Sequence, residues 1–274
     1  MPSRFPFRLA AIDLDGTLLG ADHRPTHQNA EAVRRLAEEG VLCVVASGRM
    51  HESSAPFARE LGLDSPVISY NGALVRSGPD GETWHHLPVP ADVADEVIDY
   101  CAEHGMHLNF YVGDRVLVAA QTPWGDLYLR HTASPMEAVG DLRRYRGQEP
   151  TKMILIDSPE RTDELLPVFR ARFFERAYVT KSNPEYLEFM NRDANKGRAL
   201  SHVAKRLGVA RKDVVAFGDS DNDIPMLEWA GLGVAVGRPS AKVRAAANIV
   251  VDCPDGNALA SAIATIRSST VGRG

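Results

Sequence analysis

The sequence predicts an α/β protein: a doubly wound, parallel Rossmann-like core split by an inserted α+β module. Three observations carry that expectation. Apolar runs of strand length alternate with helical stretches over 8–72, and again from 195 to 268. Runs such as VLCVVAS (41–47) and VVAF (214–217) are apolar at nearly every position, as strands covered on both faces must be. Between the two stretches the pattern changes to closely spaced strands with hairpin signals, which a strictly alternating parallel fold does not contain.

Taken in order, RLAAID (8–13) is the first strand. A helix follows, with Thr26 as its cap, Ala30, Val33, Leu36 and Ala37 as its apolar stripe and Gly40 as its stop. VLCVVAS is the second strand and Ser47-Gly48-Arg49 closes it. A helical stretch over 51–62 leads to a third strand, PVISYNG (66–72), ending at Asn71-Gly72. This β-α-β-α-β opening implies right-handed crossovers and a parallel sheet.

The alternation breaks after about residue 85. PADVADEVIDYCAEHG reads as a helix with a glycine stop, and HLNFYV and RVLVAAQ flank Gly113-Asp114, a hairpin turn. MILID (153–157), a helix over 160–174, AYVTKSN and EYLEFMN complete the insertion. The parallel pattern resumes at Asn195-Lys196-Gly197 with a helix over 197–207 and the VVAF strand. LGVAVG (232–237), NIVV (248–251) and a final helix, NALASAIATIRS, follow. The expected division is a core of 1–85 and 191–274 around a second domain of 86–190, a usual small-domain size.

The chain's 274 residues, 44% hydrophobic and 24% charged, describe an ordinary globular protein of one or two domains. A net charge of −5 gives no reason to expect nucleic acid or an anionic membrane as partner. The basic run Arg143-Arg144-Tyr145-Arg146 is expected to be a solvated helix face. Cys43, Cys101 and Cys253 are scattered without CxxC spacing, which fits reduced thiols in a cytoplasmic protein. No apolar run nears the roughly 18 residues of a membrane span. The N-terminus lacks the apolar core of a signal peptide, and the tail SSTVGRG is expected to fray.

Every unusual polar cluster sits at a predicted strand end. Asp13 and Asp15 follow the first strand, Ser47-Gly48-Arg49 the second, Asn71-Gly72 the third, and Gly218-Asp219 the strand after the insertion. Ligands of open α/β sheets bind at the carboxyl ends of strands. Alternation places Asp13 and Asp15 on one side with Leu14 facing away. Two such charges about 5 Å apart repel by roughly 3 kcal/mol at an effective dielectric near 20. A divalent cation resolves the conflict, and Mg²⁺ between Asp13 and Asp219 suits the hard oxygen donors. Such a metal either activates water directly or assists an aspartate that attacks phosphorus. The second carboxylate suits a general acid, its proton held by the neighbouring anion. Gly16 admits a phosphate close to the backbone, Thr17 and Ser47 offer hydroxyls, and Lys196 supplies a cation near Asp13.

In order, DLDGT (13–17), SGR (47–49), the lysine of NKG (195–197) and GDSDND (218–223) resemble the four motifs of the haloacid dehalogenase superfamily. Asn71-Gly72 and the position of the insertion resemble its Cof-type subfamily with a type IIB cap. The resemblance spans essentially the whole chain. It implies Asp13 as nucleophile and metal ligand, and Asp15 as general acid and then base, its backbone carbonyl also on the metal. Ser47 and Lys196 would hold the phosphoryl group and Asp219 would bind Mg²⁺, with Asn222 and Asp223 orienting Lys196 and metal-bound water. Thr17, Gly48, Asn71, Gly72 and Asn222 complete the expected phosphate and substrate contacts. The aspartate at 15 points to hydrolysis, since phosphotransfer ATPases of the superfamily carry threonine there.

The expected enzyme is thus a cytoplasmic Mg²⁺-dependent phosphatase of small phosphorylated metabolites, a phosphoric monoester hydrolase whose cap excludes water and selects the leaving group. A phosphotransferase or mutase on the same core is the main alternative. A phosphoacceptor signalling module is disfavoured by the cap and by Asp15. Outside the motifs, Arg49 is weighed as an ion-pair partner of an acid and Asp221 as a loop residue. His85-His86 is read as hinge or surface, His104 and His107 as structural, and Trp124 as a loop residue that packs or lines a pocket.

Overall fold

The structure is a computed structural model that describes residues 5–253 and 256–271. The chain divides into two compact units, Met1–His85 with Asn195–Gly274, and His86–Ala194. In chain order the first unit opens with β1 (Leu9–Ile12), α1 (His27–Glu38), β2 (Leu42–Ala46), α2 (His51–Glu60), β3 (Val67–Ser69), β4 (Leu74–Arg76) and β5 (Thr83–His86). The second unit holds α3 (Ala91–His104), β6 (His107–Val112), β7 (Arg115–Val118), α4 (Pro123–Thr132), β8 (Met136–Ala138), β9 (Lys152–Ile156), α5 (Pro159–Arg172), β10 (Ala177–Asn183) and β11 (Tyr186–Asn191). The first unit resumes with α6 (Lys196–Arg206), β12 (Val214–Gly218), α7 (Ile224–Trp229), β13 (Leu232–Gly237), α8 (Ala241–Ala246), β14 (Ile249–Asp252) and α9 (Ala258–Val271).

The first unit's sheet has the order β14-β13-β12-β1-β2-β3-β4-β5. Its six strands from β14 to β3 run parallel. The chain builds outward from β1 through β2 and β3, then returns after the insertion to build the other way through β12, β13 and β14. Strand order therefore reverses between β1 and β12, where such sheets form their binding crevice. Alternate residues sort onto two faces. Ala10, Ile12, Val45 and Phe217 pack with α1 and α9, whereas Leu9, Ala11, Val44 and Ala216 pack with α6 and α7. Both faces are buried, which is why these strands are apolar throughout.

The second unit is a six-stranded sheet, β10-β11-β9-β6-β7-β8, antiparallel except for the β7–β8 pair. Leu108, Phe110, Met153, Leu155, Leu187 and Phe189 bury one face against α3 and α5. The β6–β7 hairpin turns at Gly113 and Asp114, both left-handed (φ 56° and 60°).

Several elements differ from the sequence expectation. The third strand stops at Ser69, not at residue 72. Tyr70, Asn71 and Gly72 take left-handed φ values of 50°, 54° and 95° and turn the chain back as the antiparallel β4. The run expected as a strand over 115–121 ends at Val118. Thr122 caps a helix with Pro123 in its first turn, so Trp124 lies in α4 and not in a loop. Arg143–Arg146 lies in and just after a short 3-10 turn, not on a helix face. Arg143 pairs with Asp141, and Arg146 with Asp95 and Asp99. The last helix continues to Val271, so the expected fraying does not begin at 268; residues 272–274 of that tail lie outside the described residues.

His104 hydrogen-bonds the Tyr100 carbonyl, and His107 bridges Asn109 and Thr122. His85 stacks on His202 and His86 bonds Thr151. Among the described residues no helix is long and apolar enough to cross a membrane.

Candidate active site

Register brings the motifs to one place. Ile12 pairs with Phe217 across the β1–β12 boundary, and the Asp13 N–H donates to the Phe217 carbonyl at 3.1 Å. Asp13 and the Gly218-Asp219 step therefore leave the sheet side by side. The chain then turns tightly: Thr17 N–H donates to Leu14 and Leu18 N–H to Asp13. Gly16 makes this turn at φ 81°, and a Cβ on it would stand 2.2 Å from Asp219 Oδ2. From the other side Lys196 enters as the first residue of α6, which Asn195 caps by accepting from the Arg198 N–H. Gly197 lets that helix end lie against α7, since a Cβ there would meet the Pro225 carbonyl at 2.2 Å.

Lys196 is fully buried and its Nζ donates to Asp13 Oδ1 and Asp223 Oδ1, both at 2.6 Å. Asp223 Oδ2 accepts from the backbone N–H groups of Asp219 and Ser220 and from the Ser220 hydroxyl. Asp223 thus spends both oxygens inside the protein and fixes the ammonium. Asp13 does not: it is 4% exposed, and among the described residues its Oδ2 has no hydrogen-bond partner, nor has Asp219 Oδ1 or the Thr17 hydroxyl. Carboxylate oxygens of Asp13, Asp219 and Asp223 lie within 4.8 Å of one another. Two partnerless carboxylate oxygens in such a group fit a hard divalent cation that completes its shell with water and phosphate oxygens.

Electrostatics expresses the same crowding. Burial, then Asp223, drives the Asp13 carboxyl well above the usual carboxylate range against the pull of Lys196, with Asp219 adding to the rise. Burial alone would lower the Lys196 ammonium, but Asp13 and Asp223 outweigh it and hold the proton firmly. Asp219 is pushed up to about 7 by burial and then Asp223; Asp15 adds and Lys196 opposes.

The crowded carboxylates are not the pair expected from alternation. The strand ends at Ile12, so Asp15 belongs to the turn, and its side chain is 48% exposed. Arg49 holds it, with Nε on Oδ2 at 2.8 Å and Nη2 on Oδ1. Its nearest charged neighbour is a guanidinium and not an anion. In the acidic cluster Asp223 stands where the sequence reading placed Asp15.

The remaining expected residues surround this group. Ser47 is buried and continues β2, its N–H on the Ile68 carbonyl and its hydroxyl accepting from the Arg49 N–H. Asn71 N–H donates to the Ser47 carbonyl, and Asn222 Nδ2 donates to Asn71 Oδ1 at 2.9 Å. Gly48 is needed beside this contact, because a Cβ there would stand 2.8 Å from Asn71 Oδ1. Gly72 packs on the Asn195 carbonyl, 2.3 Å from where its Cβ would be. Asp221 turns away to Ser240 and Lys242. Ser220 went unnoticed in the sequence: it closes a capping box with Asp223 and bonds Asn222 Oδ1 at 2.6 Å. Its signal was the Ser-x-x-Asp spacing inside GDSDND.

Two stability outcomes follow from this packing. Alanine at Gly16 is expected to cost about 1–3 kcal/mol through the positive φ alone. A divalent cation held by Asp219 would also be displaced, since Asp219 must move, so any rise in melting temperature on adding Mg²⁺ should shrink; melts with and without the ion measure both. The raised Asp219 adds stability only when it carries its proton. That contribution is present below its unfolded value near 3.8 and is lost as pH rises through about 7. With chelator at pH 8, Asp219→Asn should therefore melt a few degrees above the wild type, and the gap should close toward pH 5. An unchanged gap across that range would contradict the crowding.

Comparison with known proteins places this geometry in a class. A family model described as haloacid dehalogenase-like hydrolase matches residues 10–263. The chain belongs to that family, and it is a phosphatase, a hydrolase of phosphoric monoesters. Among relatives, it is 29% identical to the 5-amino-6-(5-phospho-D-ribitylamino)uracil phosphatase YitU of Bacillus subtilis, over 88% of this chain and 90% of that one. It is 31% identical to the HMP-PP phosphatase of an Enterobacter species, over 84% of each. A crystal structure from Thermotoga maritima matches with a TM-score of 0.88 at 30% identity, covering 94% of this chain and 97% of the other.

Proposed function

We propose that this chain is a cytoplasmic, Mg²⁺-dependent phosphatase that hydrolyses small phosphorylated metabolites, such as sugar phosphates, through an aspartyl-phosphate on Asp13. One observation carries the reading. Asp13 is buried with one oxygen clamped by Lys196 and the other without a hydrogen-bond partner among the described residues. A carboxylate buried for structural reasons would have both oxygens satisfied. The relatives' names support small phosphorylated substrates, and the three free cysteines suit a reducing compartment.

A carboxylate oxygen of Asp13 attacks phosphorus, and the bond to the ester oxygen breaks as Asp15 gives that oxygen a proton. Asp15 then takes a proton from water, whose oxygen bonds to phosphorus. The bond to Asp13 breaks, inorganic phosphate leaves and the carboxylate is restored. Lys196, permanently charged between Asp13 and Asp223, balances the negative charge spread over the transferring group. Ser47, Thr17 and Asn222 supply polar contacts to the phosphoryl oxygens, with the backbone at Gly48 and the Asn71-Gly72 turn shaping the approach. Asp13 and Asp219 would hold the cation. A Mg²⁺ ion bound there would offset the repulsion between the carboxylate and the anionic phosphoryl group.

The test combines a substrate panel with trapping. Phosphate release from sugar phosphates and p-nitrophenyl phosphate should require Mg²⁺ and vanish with chelator. Acid-quenched turnover should leave one phosphoryl group on the peptide holding Asp13. Undiminished release with chelator removes the metal from the reading, and turnover without a covalent adduct in rapid quench removes the aspartyl-phosphate.

A further inference from the structure

We infer that Arg49 is a positioning residue for proton transfer: its guanidinium fixes the plane and direction of the Asp15 carboxyl. The inference rests on the proposed role of Asp15 as proton donor and acceptor. Asp15 lies in a turn beyond the sheet and its side chain is half exposed; besides Arg49, its charged neighbour is His23, itself largely exposed, 3.6 Å from Oδ1. Arg49 supplies what is missing. Nε and Nη2 grip the two carboxylate oxygens separately, a fork that sets orientation as well as distance.

The arginine is itself held at both ends. Its N–H donates to the Ser47 hydroxyl and its carbonyl accepts from the Tyr70 N–H, while its guanidinium lies 5.5 Å above the Phe57 ring of α2. With its side chain 29% exposed, it is better buried than the carboxylate it grips. The pair spans 34 positions of sequence and joins the ends of β1 and β2. A surface ion pair of this kind adds little to stability. A proton donor and acceptor displaced by about 1 Å, by contrast, loses on the order of 100-fold in rate.

The experiment uses leaving groups to separate positioning from other roles. Proton donation matters for an alkyl phosphate, whose leaving oxygen is strongly basic, and hardly at all for p-nitrophenyl phosphate. Arg49→Gln should lose about 100-fold in kcat/KM on an alkyl phosphate and less than about 5-fold on p-nitrophenyl phosphate, with the melting temperature within a few degrees of wild type. Because the same carboxyl activates water, phosphoenzyme should accumulate in acid quench on either substrate.

Asp15→Asn should show the same leaving-group pattern, and the double variant should be no worse than Asp15→Asn alone. Arg49→Lys keeps the charge without the fork and should behave nearly like Arg49→Gln; it carries the test if the glutamine variant misfolds. An equal loss on both substrates with raised KM would overturn the inference and place Arg49 on the phosphoryl group. Wild-type rates on both would overturn it too. Were Asp15→Asn itself indifferent to the leaving group, the underlying role of Asp15 would fall instead, a distinct result.

Discussion

Asp13→Asn is expected to lower phosphate release from p-nitrophenyl phosphate by about 10⁴-fold or more, the scale of losing the nucleophile of a covalent mechanism. An amide cannot attack phosphorus and later be regenerated by water. The fold should survive the change, because the site carries more negative than positive charge. Lys196 keeps Asp223 as its partner at 2.6 Å, and the asparagine oxygen can still accept from Nζ. Burial already works against the ionised form of Asp13, so a neutral isostere relieves part of that penalty. With chelator present the variant should melt within a few degrees of the wild type, while stabilisation by Mg²⁺ should be reduced. Phosphate release within about tenfold of wild type would remove Asp13 from the nucleophile role.

Lys196→Met should combine loss of activity with loss of stability. The ammonium sits unexposed between two buried carboxylates. Removing one partner of a buried ionic group costs on the order of 3–5 kcal/mol, because the remaining charges lose their compensation. For a chain of this size that is a fall in melting temperature on the order of 10 °C. Adding Asp223→Asn should restore part of the stability by removing one orphaned charge, and should restore none of the activity. Thermal melts of the two variants check the first half and phosphate release the second. A single variant as stable as the wild type would mean that Lys196 does not balance the site's charge.

Much of the site was legible in the chain because the fold puts strand ends to chemical use. Asp13, Ser47, Gly218 and Lys196 each stand at the edge of an apolar run or helix, and a doubly wound sheet aligns such edges by its topology alone. Side-chain direction was less legible. Period-two reasoning paired Asp13 with Asp15, but that period holds only inside a strand, and the strand stops at Ile12. Past it, Gly16 turns the chain, and Asp15 swings toward Arg49. Asp223 was legible as part of GDSDND, but period-two reasoning did not place it against Asp13; a 3-10 turn and the capping box with Ser220 point it inward. The second unit shows the same limit: Thr122-Pro123 was a readable helix start, yet the short run after it looked like loop.

What the sequence determined by itself is the class of fold and the chemical inventory. Burial on both faces demands continuous apolar strands, and charged or hydroxyl residues at strand ends demand something polar to bind. What tertiary structure alone decided is which charges meet. The β1–β12 register sets Asp13 beside Asp219, and the Lys196 ammonium lands between Asp13 and Asp223, leaving one oxygen of Asp13 without a partner among the described residues. Coulomb energies depend on distances of a few ångströms between residues about two hundred positions apart, and only the folded sheet sets those distances.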